Sequence, residues 1–342
     1  VAWVIHKENV LQLLRDRLDQ QLYCNSQHPF LESRYVIPLM EVFPHGGEYL
    51  AEYEEQGNII CAFVMSKYSA LTAAAYVDGV CQISLTYIDR SLSQDKFASI
   101  INALFNSLPK FFLAINFELQ DPDLTDEEKF SNMKNAVVNQ CANNTSIPPG
   151  MEFEEYWQQR SKSVRKDLAR RMRSLERENI QVEYRVIDDE AEIDQGFDEY
   201  CRLEGAGWKG EQGTALTATN EQGMFYKRVM DGFALNKQAK FHQLLFDGVV
   251  VASLMTIENS EMIIVVKTTY DEDMSKFSPG RLLDYYMLKN LLTSSNQQHI
   301  ENYTNASAND QKWFPRVREM YDVTVYRSPL VKQLAQFKQK LN

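Results

Sequence analysis

Tyr270-Asp271-Glu272-Asp273-Met274-Ser275-Lys276-Phe277-Ser278-Pro279-Gly280-Arg281-Leu282-Leu283 follows directly on an apolar run that starts at Met262 and reaches Thr269. The run reads as a buried strand, the acidic stretch as a loop, and Ser-Pro-Gly as a helix start. Ser278 suits the N-cap and Pro279 the first helical position. Gly280 then falls in the first turn, where helix propensity disfavours it. Its use there is steric. Without a side chain it leaves the amides of Gly280, Arg281 and Leu282 open to a ligand. A helix start carries about half a positive charge and holds phosphate well. Arg281 adds a full charge. The same residues also describe an ordinary capped helix.

Working outward, His242 to Phe246 and Val249 to Glu258 read as a hairpin around Asp247-Gly248. Gln181 to Ile187 reads as a strand, with helices expected over Asp189 to Gly205 and Asn220 to Leu235. On the far side, Gly280 to Leu292 and Asn309 to Met320 read as helices, and His299 to Thr304 and Val323 to Tyr326 as strands. Phe153 to Asn179 reads as one long helix. In the first half, strands are expected at Tyr49 to Glu55, Asn58 to Ser66, Val80 to Ile88 and Lys110 to Leu119. Helices are expected at Lys7 to Tyr23 and Gln94 to Ser107. Asp121 to Asn144 reads as polar and partly helical. Ser146-Ile147-Pro148-Pro149-Gly150 marks a boundary, which divides the chain into residues 1–148 and 149–342. The element order is mixed α/β, without strict alternation, and the fold class is α+β.

The 342 residues carry a formal charge of −11, with 36 basic and 47 acidic side chains. An acidic chain is generally repelled by nucleic acid, although a local basic patch still binds phosphate. No apolar run is long enough to span a membrane. Charged residues from His6 to Arg17 interrupt any signal-like core. The five cysteines are scattered, which points to a reducing, cytoplasmic setting. The five histidines have no metal-ligand spacing, and no metal is expected. Walker-type, dinucleotide-binding and serine-elbow motifs are all missing.

Two further stretches carry candidate chemistry. Leu203-Glu204-Gly205-Ala206-Gly207-Trp208-Lys209-Gly210 sets three glycines around an aromatic and a lysine. Such a turn permits close approach of a ligand, with Trp208 as a pocket wall; taken alone, the letters read first as a surface turn with a tucked Trp. The basic helix sets Arg160, Lys162, Arg165, Lys166, Arg170, Arg171, Arg173 and Arg177 against only Asp167 and Glu176. Trp157, Val164, Leu168, Met172 and Leu175 form its apolar stripe. Lys166, Arg170, Arg173 and Arg177 fall on the opposite face. Arg171 lies within the stripe and requires an anionic partner, either a carboxylate of the protein or a ligand phosphate.

Taken in order over roughly residues 150–320, these stretches resemble the acetyltransferase-like domain of the CelD/BcsL type, a branch of the GNAT N-acyltransferase superfamily. The matching residues are the helix from Val164-Arg165 to Leu175, Gly207-Trp208-Lys209-Gly210, Phe225-Tyr226, Lys267, Tyr270-Asp271-Glu272 and Phe277 to Leu283. The resemblance implies two tandem GNAT-like domains, each a mostly antiparallel sheet flanked by helices, the first degenerate. It implies acetyl-CoA or another acyl-CoA as co-substrate and the amine of a small molecule or amino sugar as acceptor. Lys267, Thr268, Ser278, Pro279, Gly280, Arg281 and Leu282 would hold the donor, with the Thr268 amide at the thioester carbonyl. Glu204 and Asp271 are the candidate bases, and Lys209 orients the acceptor or pairs with a carboxylate. Trp208, Arg171 and Tyr270 would contact substrate. The family has an acidic and glycine-bearing strand end followed by Tyr-Lys. Here the corresponding residues are Glu301-Asn302-Tyr303-Thr304-Asn305 and Gln311-Lys312-Trp313, a departure on the acceptor side. Two alternatives follow: a Fem-type transferase using aminoacyl-tRNA, with the basic helix on the tRNA, and a non-catalytic binding subunit in polysaccharide biosynthesis. A homo-oligomer is compatible with either.

Overall fold

In the computed structural model, described for residues 3–25, 27–293 and 298–339, the chain forms a mixed α+β protein with mostly antiparallel sheets. It divides into two units. One runs to Asn143 and takes back the chain from Arg318 onward; the other is Asn144–Val317. The sequence reading ended the first domain at residue 148 and kept the whole C-terminal stretch in the second.

In the first unit the strand order is Trp3–His6, Tyr49–Glu55, Asn58–Lys67, Thr72–Ala75, Ala114–Gln120, Arg316–Tyr326 and Ala136–Ile147. Thr72–Ala75 and Ala114–Gln120 pair in parallel. The helix Gln94–Ser107 lays Phe97, Ile100, Ile101 and Leu104 into a core with Phe63, Phe117, Phe130 and Val323. Their three- and four-residue spacing is the amphipathic period of a helix packed on a sheet.

In the second unit the order is the end of Ala136–Ile147, then His299–Asn302, Met262–Tyr270, Val249–Glu258, Ala239–Phe246 and Val182–Ile187. Neighbours are antiparallel except Met262–Tyr270 with His299–Asn302. Alternation along the strands divides the two faces. Leu244 and Phe246 join a core with Leu283, Met287 and Leu288 of the helix Pro279–Thr293, and with Leu168 of the basic helix. On the opposite face, Leu245 packs with Leu203 of the helix Ile193–Ala206.

Several elements differ from the sequence reading. The long helix is two, Phe153–Gln159 and Lys162–Arg177. Arg160 and Ser161 leave the helix, and the Ser161 hydroxyl accepts the Val164 amide at 3.3 Å as a new N-cap. The expected helix from Asn309 to Met320 is a short 3-10 turn, Asp310–Lys312, followed by the strand Arg316–Tyr326. Pro315 separates them, and Arg318, Met320, Tyr321, Val323 and Val325 are buried as the strand crosses the first unit's sheet. Within the polar stretch 121–144 only Glu127–Ser131 is α-helical; Ala136–Ile147 is a twelve-residue strand. Val80 to Ile88 shrinks to Thr86–Ile88. The helix Ser33–Val42 went unread because Pro38 interrupts its pattern.

Candidate functional site

The strand Met262–Tyr270 pairs in parallel with His299–Asn302 only as far as Val265↔Asn302. Its other edge remains paired with Val249–Glu258 up to Ala252↔Tyr270. The last five residues, Val266 to Tyr270, therefore have no partner strand on the His299–Asn302 side among the described residues. The strands part where register also breaks: Thr256 pairs with Val265 and Met255 with Lys267, leaving Val266 as a bulge. A bulge re-aims every side chain beyond it. Lys267 accordingly shares a face with Met255 and Phe241, toward the helices, while Tyr270 shares one with Ala252 of the other core.

Beyond Tyr270 the chain makes a 3-10 turn, Glu272–Phe277, and enters the helix Pro279–Thr293. Ser278 stands at the junction in the left-handed region, φ 54° and ψ 59°. Its carbonyl accepts the amides of Arg281 at 3.0 Å and Leu282 at 3.1 Å. Those two N–H groups are thus satisfied within the turn, contrary to the expectation that they stand open. Pro279 has no N–H, so the Gly280 amide is the donor of this turn left without an acceptor among the described residues. A Cβ on Gly280 would meet Tyr270 Cδ1 at 3.3 Å. The missing side chain thus first accommodates the Tyr270 ring.

A cavity of about 320 Å³ opens beside this helix start. Ser163, Asp167 and Arg171 of the basic helix line one side, Ser278 and Arg281 the other, and Lys312 closes it. Arg171 donates to the Lys276 carbonyl, and its Nε lies 3.6 Å from Asp167. Arg171 thus has a carbonyl and a carboxylate of the protein beside it while also lining the cavity. Arg281 is clamped by Asp284 at 3.0 Å and Asp310 at 2.9 Å. Burial opposes its charge, yet the two carboxylates outweigh this and hold its pKa above the ordinary arginine value. Among the described residues Lys312 donates to the neutral Asn309 side chain, at 2.8 Å, and pairs with no carboxylate, so its charge stays available to the cavity. Neither Ser163 nor Asn309 was a sequence candidate; the Ser161-Lys162-Ser163 helix start was the available signal.

The other candidates assemble on the opposite face. Glu204 is buried and accepts from Lys209, from the Leu216 amide at 2.8 Å and from the Tyr200 hydroxyl at 3.3 Å. Lys267 lies over the Tyr226 ring, 4.9 Å from its centroid. Burial pushes the Lys267 amine below the ordinary lysine value; Glu204 opposes that shift and Lys209 adds to it. Gly210 enables the turn, because a Cβ there would overlap the Gly205 carbonyl. Trp208 is half exposed, and its amide donates to Glu272 at 3.3 Å, which joins this turn to the loop after Tyr270. Asp271 accepts the Asp273 amide at 2.9 Å and caps the 3-10 turn. Thr268 is exposed on the parted segment. Among the described residues no group of three or more His, Cys, Asp or Glu is placed to hold a metal. No described helix is long and apolar enough to cross a membrane.

Residues 162–298 match the family model described as an acetyltransferase (GNAT) domain, and this stretch belongs to the GNAT superfamily. The fold of the whole chain is similar to that of FemX, with a TM-score of 0.61, 8% identity, and coverage of 97% of this chain and 99% of that one. It is also similar to the C-terminal domain of a protein described as a lysylphosphatidylglycerol synthetase from Agrobacterium fabrum, with a TM-score of 0.57, 11% identity, and coverage of 97% and 96%. A conserved protein of unknown function from Bacteroides thetaiotaomicron matches with a TM-score of 0.53, 9% identity, and coverage of 94% and 99%. No curated protein matches the chain significantly.

Proposed function

We propose that the second unit is an N-acyltransferase that moves an acyl group from an acyl-coenzyme A, acetyl-CoA in the simplest case, to the amine of a small acceptor. The observation that carries this reading is the parted edge from Val266 to Tyr270, which leads to the Gly280 amide and the Lys312 cavity. An extended pantetheine has amides that match an open strand edge. The diphosphate suits a helix start flanked by a cation. Thr268 presents a backbone N–H to the thioester carbonyl.

The acceptor enters on the face of Trp208, Tyr226 and Lys267. Its nitrogen attacks the carbonyl; the C–N bond forms, the C–S bond breaks, and the thiolate leaves with the donor. The amine proton passes to Lys267, whose lowered pKa supplies a neutral amine nearer to working pH. Glu204 and Lys209 position that amine, and Asp271 holds the turn. This assignment moves the base from the two carboxylates to Lys267. The test is release of free thiol from acetyl-CoA across a panel of small amines. Release that depends on both the amine and Lys267 supports the reading; none from any acyl-CoA removes it.

A second reading, transfer from aminoacyl-tRNA, rests on the exposed face of the basic helix. Lys162, Arg165, Lys166 and Arg173 are exposed there without a carboxylate partner among the described residues. Salt-sensitive tRNA binding, in place of coenzyme A binding, would favour it.

A further inference from the structure

In the first unit, Thr72 pairs with Ala114, and Ala114 with Tyr326. Three neighbouring strands therefore end at one edge of the sheet, and segments 67–71, 109–113 and 327–339 emerge together. The contacts are direct. The Leu113 amide donates to the Leu71 carbonyl at 2.7 Å, and Arg327 Nε donates to the Phe112 carbonyl at 2.8 Å. Lys332 ties the helix Pro329–Gln339 down by donating to the Ala136 carbonyl at 2.6 Å.

This edge is unusually apolar. Tyr68, Leu71 and Phe111 protrude from the loops, and Leu330, Leu334 and Phe337 from the helix, each between 50% and 64% exposed. They are six of the eight exposed large hydrophobics of the first unit among the described residues; Val4 and Leu22 are the others. The three helical residues recur at four and three, on one stripe. The tethered Lys332 lies on the opposite side. Single exposed apolar residues are ordinary, but a contiguous set marks an interaction surface.

The charge of the edge is equally uneven. The three segments contain Lys67, Lys110, Arg327, Lys332 and Lys338 and no Asp or Glu, in a chain with 47 acidic against 36 basic residues. An acidic chain is repelled by an anionic surface along its acidic faces and attracted where it presents a basic stretch such as this edge, so charge favours an encounter through it. The protrusions stand on two separate loops and a helix. A fluid medium closes around such points. Tyr, Phe and Leu at the headgroup boundary, beside lysines, are the chemistry of interfacial attachment.

We propose that this edge of the first unit docks on the surface of a bilayer containing anionic phospholipid, without spanning it. The inference is independent of the transferase reading.

The test is flotation of the whole chain with vesicles of phosphatidylcholine alone and of phosphatidylcholine mixed with phosphatidylglycerol. Binding is expected only to the mixed vesicles and falls as salt rises. Leu334→Ser with Phe337→Ser changes two exposed side chains, and Lys110→Glu with Lys338→Glu changes two exposed charges. Each pair is expected to weaken binding roughly tenfold or more with an unchanged melting temperature. Equal flotation of wild type and both variants, or none by wild type, overturns the proposal. So does a wild-type dimer in light scattering that Leu334→Ser dissociates, which would make the edge a contact between copies.

Discussion

The Tyr270 ring lies against the one backbone position of the helix start that lacks a side chain: a Cβ on Gly280 would come within 3.3 Å of Tyr270 Cδ1. That contact couples the end of the parted strand to the amide assigned to the donor phosphate. Gly280→Ala gains helix propensity of up to about 1 kcal/mol but must displace the ring by a few tenths of an ångström. The expected result is a nearly unchanged melting temperature with weaker coenzyme A affinity, and partial recovery of affinity when Tyr270→Ala is added. Calorimetry on the single and double variants measures this.

Ser278 holds a left-handed backbone, which costs a residue with a Cβ roughly 1–2 kcal/mol. Part of that returns in Ser278→Gly, less the added flexibility of the unfolded chain. A gain of up to about 1 kcal/mol in urea unfolding is expected. A clear loss would mean that the hydroxyl supports the turn in a way its recorded contacts do not explain.

Lys267 has a folded pKa below the ordinary lysine value. Between that lowered value and the ordinary one, the unfolded chain binds more protons than the folded one, so stability rises with pH across this window. Activity follows the same sense, because only the neutral amine accepts a proton. kcat/KM is expected to climb with pH until Lys267 is neutral, and that limb is expected to vanish in Lys267→Met. A limb that persists in the variant assigns the proton to another group.

His242 is fully buried between the Tyr184 hydroxyl at 2.7 Å and Thr256 at 3.2 Å, and burial, with Lys240 nearby, pushes its pKa down to about 3. The unfolded histidine titrates near the ordinary value of about 6.5. Stability is therefore lost as pH falls between those values, by up to about 1.4 kcal/mol per pH unit at the steepest. His242→Gln is expected to flatten the melting temperature over that window.

The second unit was the more legible half because its punctuation is local. Asp247-Gly248 bounds two apolar runs, and Ser278-Pro279-Gly280 follows a third, so the hairpin and the helix start read directly from neighbours in sequence. The parting of the strand from Met262 is implied by the family resemblance and not by neighbouring residues. It depends on His299–Asn302 ending at Asn302 and on the bulge at Val266, and both are properties of pairing. Ala136–Ile147 was obscured by its polar, half-exposed residues, and Arg316–Tyr326 by charges that resemble a helix surface. Its place depends on contacts such as Val323↔Phe117, some two hundred residues apart. At the site, Ser278 to Leu282 were recognisable, but not the clamp on Arg281. Asp284 is one turn away on the same helix, whereas Asp310 arrives from another loop. Lys209 was read as orienting the acceptor or pairing with a carboxylate; the fold makes Glu204 that carboxylate, within electrostatic reach of Lys267.

The central claim is that a thioester donor's diphosphate rests on the Gly280 amide beside Lys312. Calorimetric titration of coenzyme A into wild type and Gly280→Glu tests it most directly, with melting temperatures showing that both are folded. The account predicts saturable binding to wild type and an affinity at least roughly tenfold weaker in the variant, since a carboxylate there meets the phosphates with like charge. Equal affinity in the two proteins would contradict it.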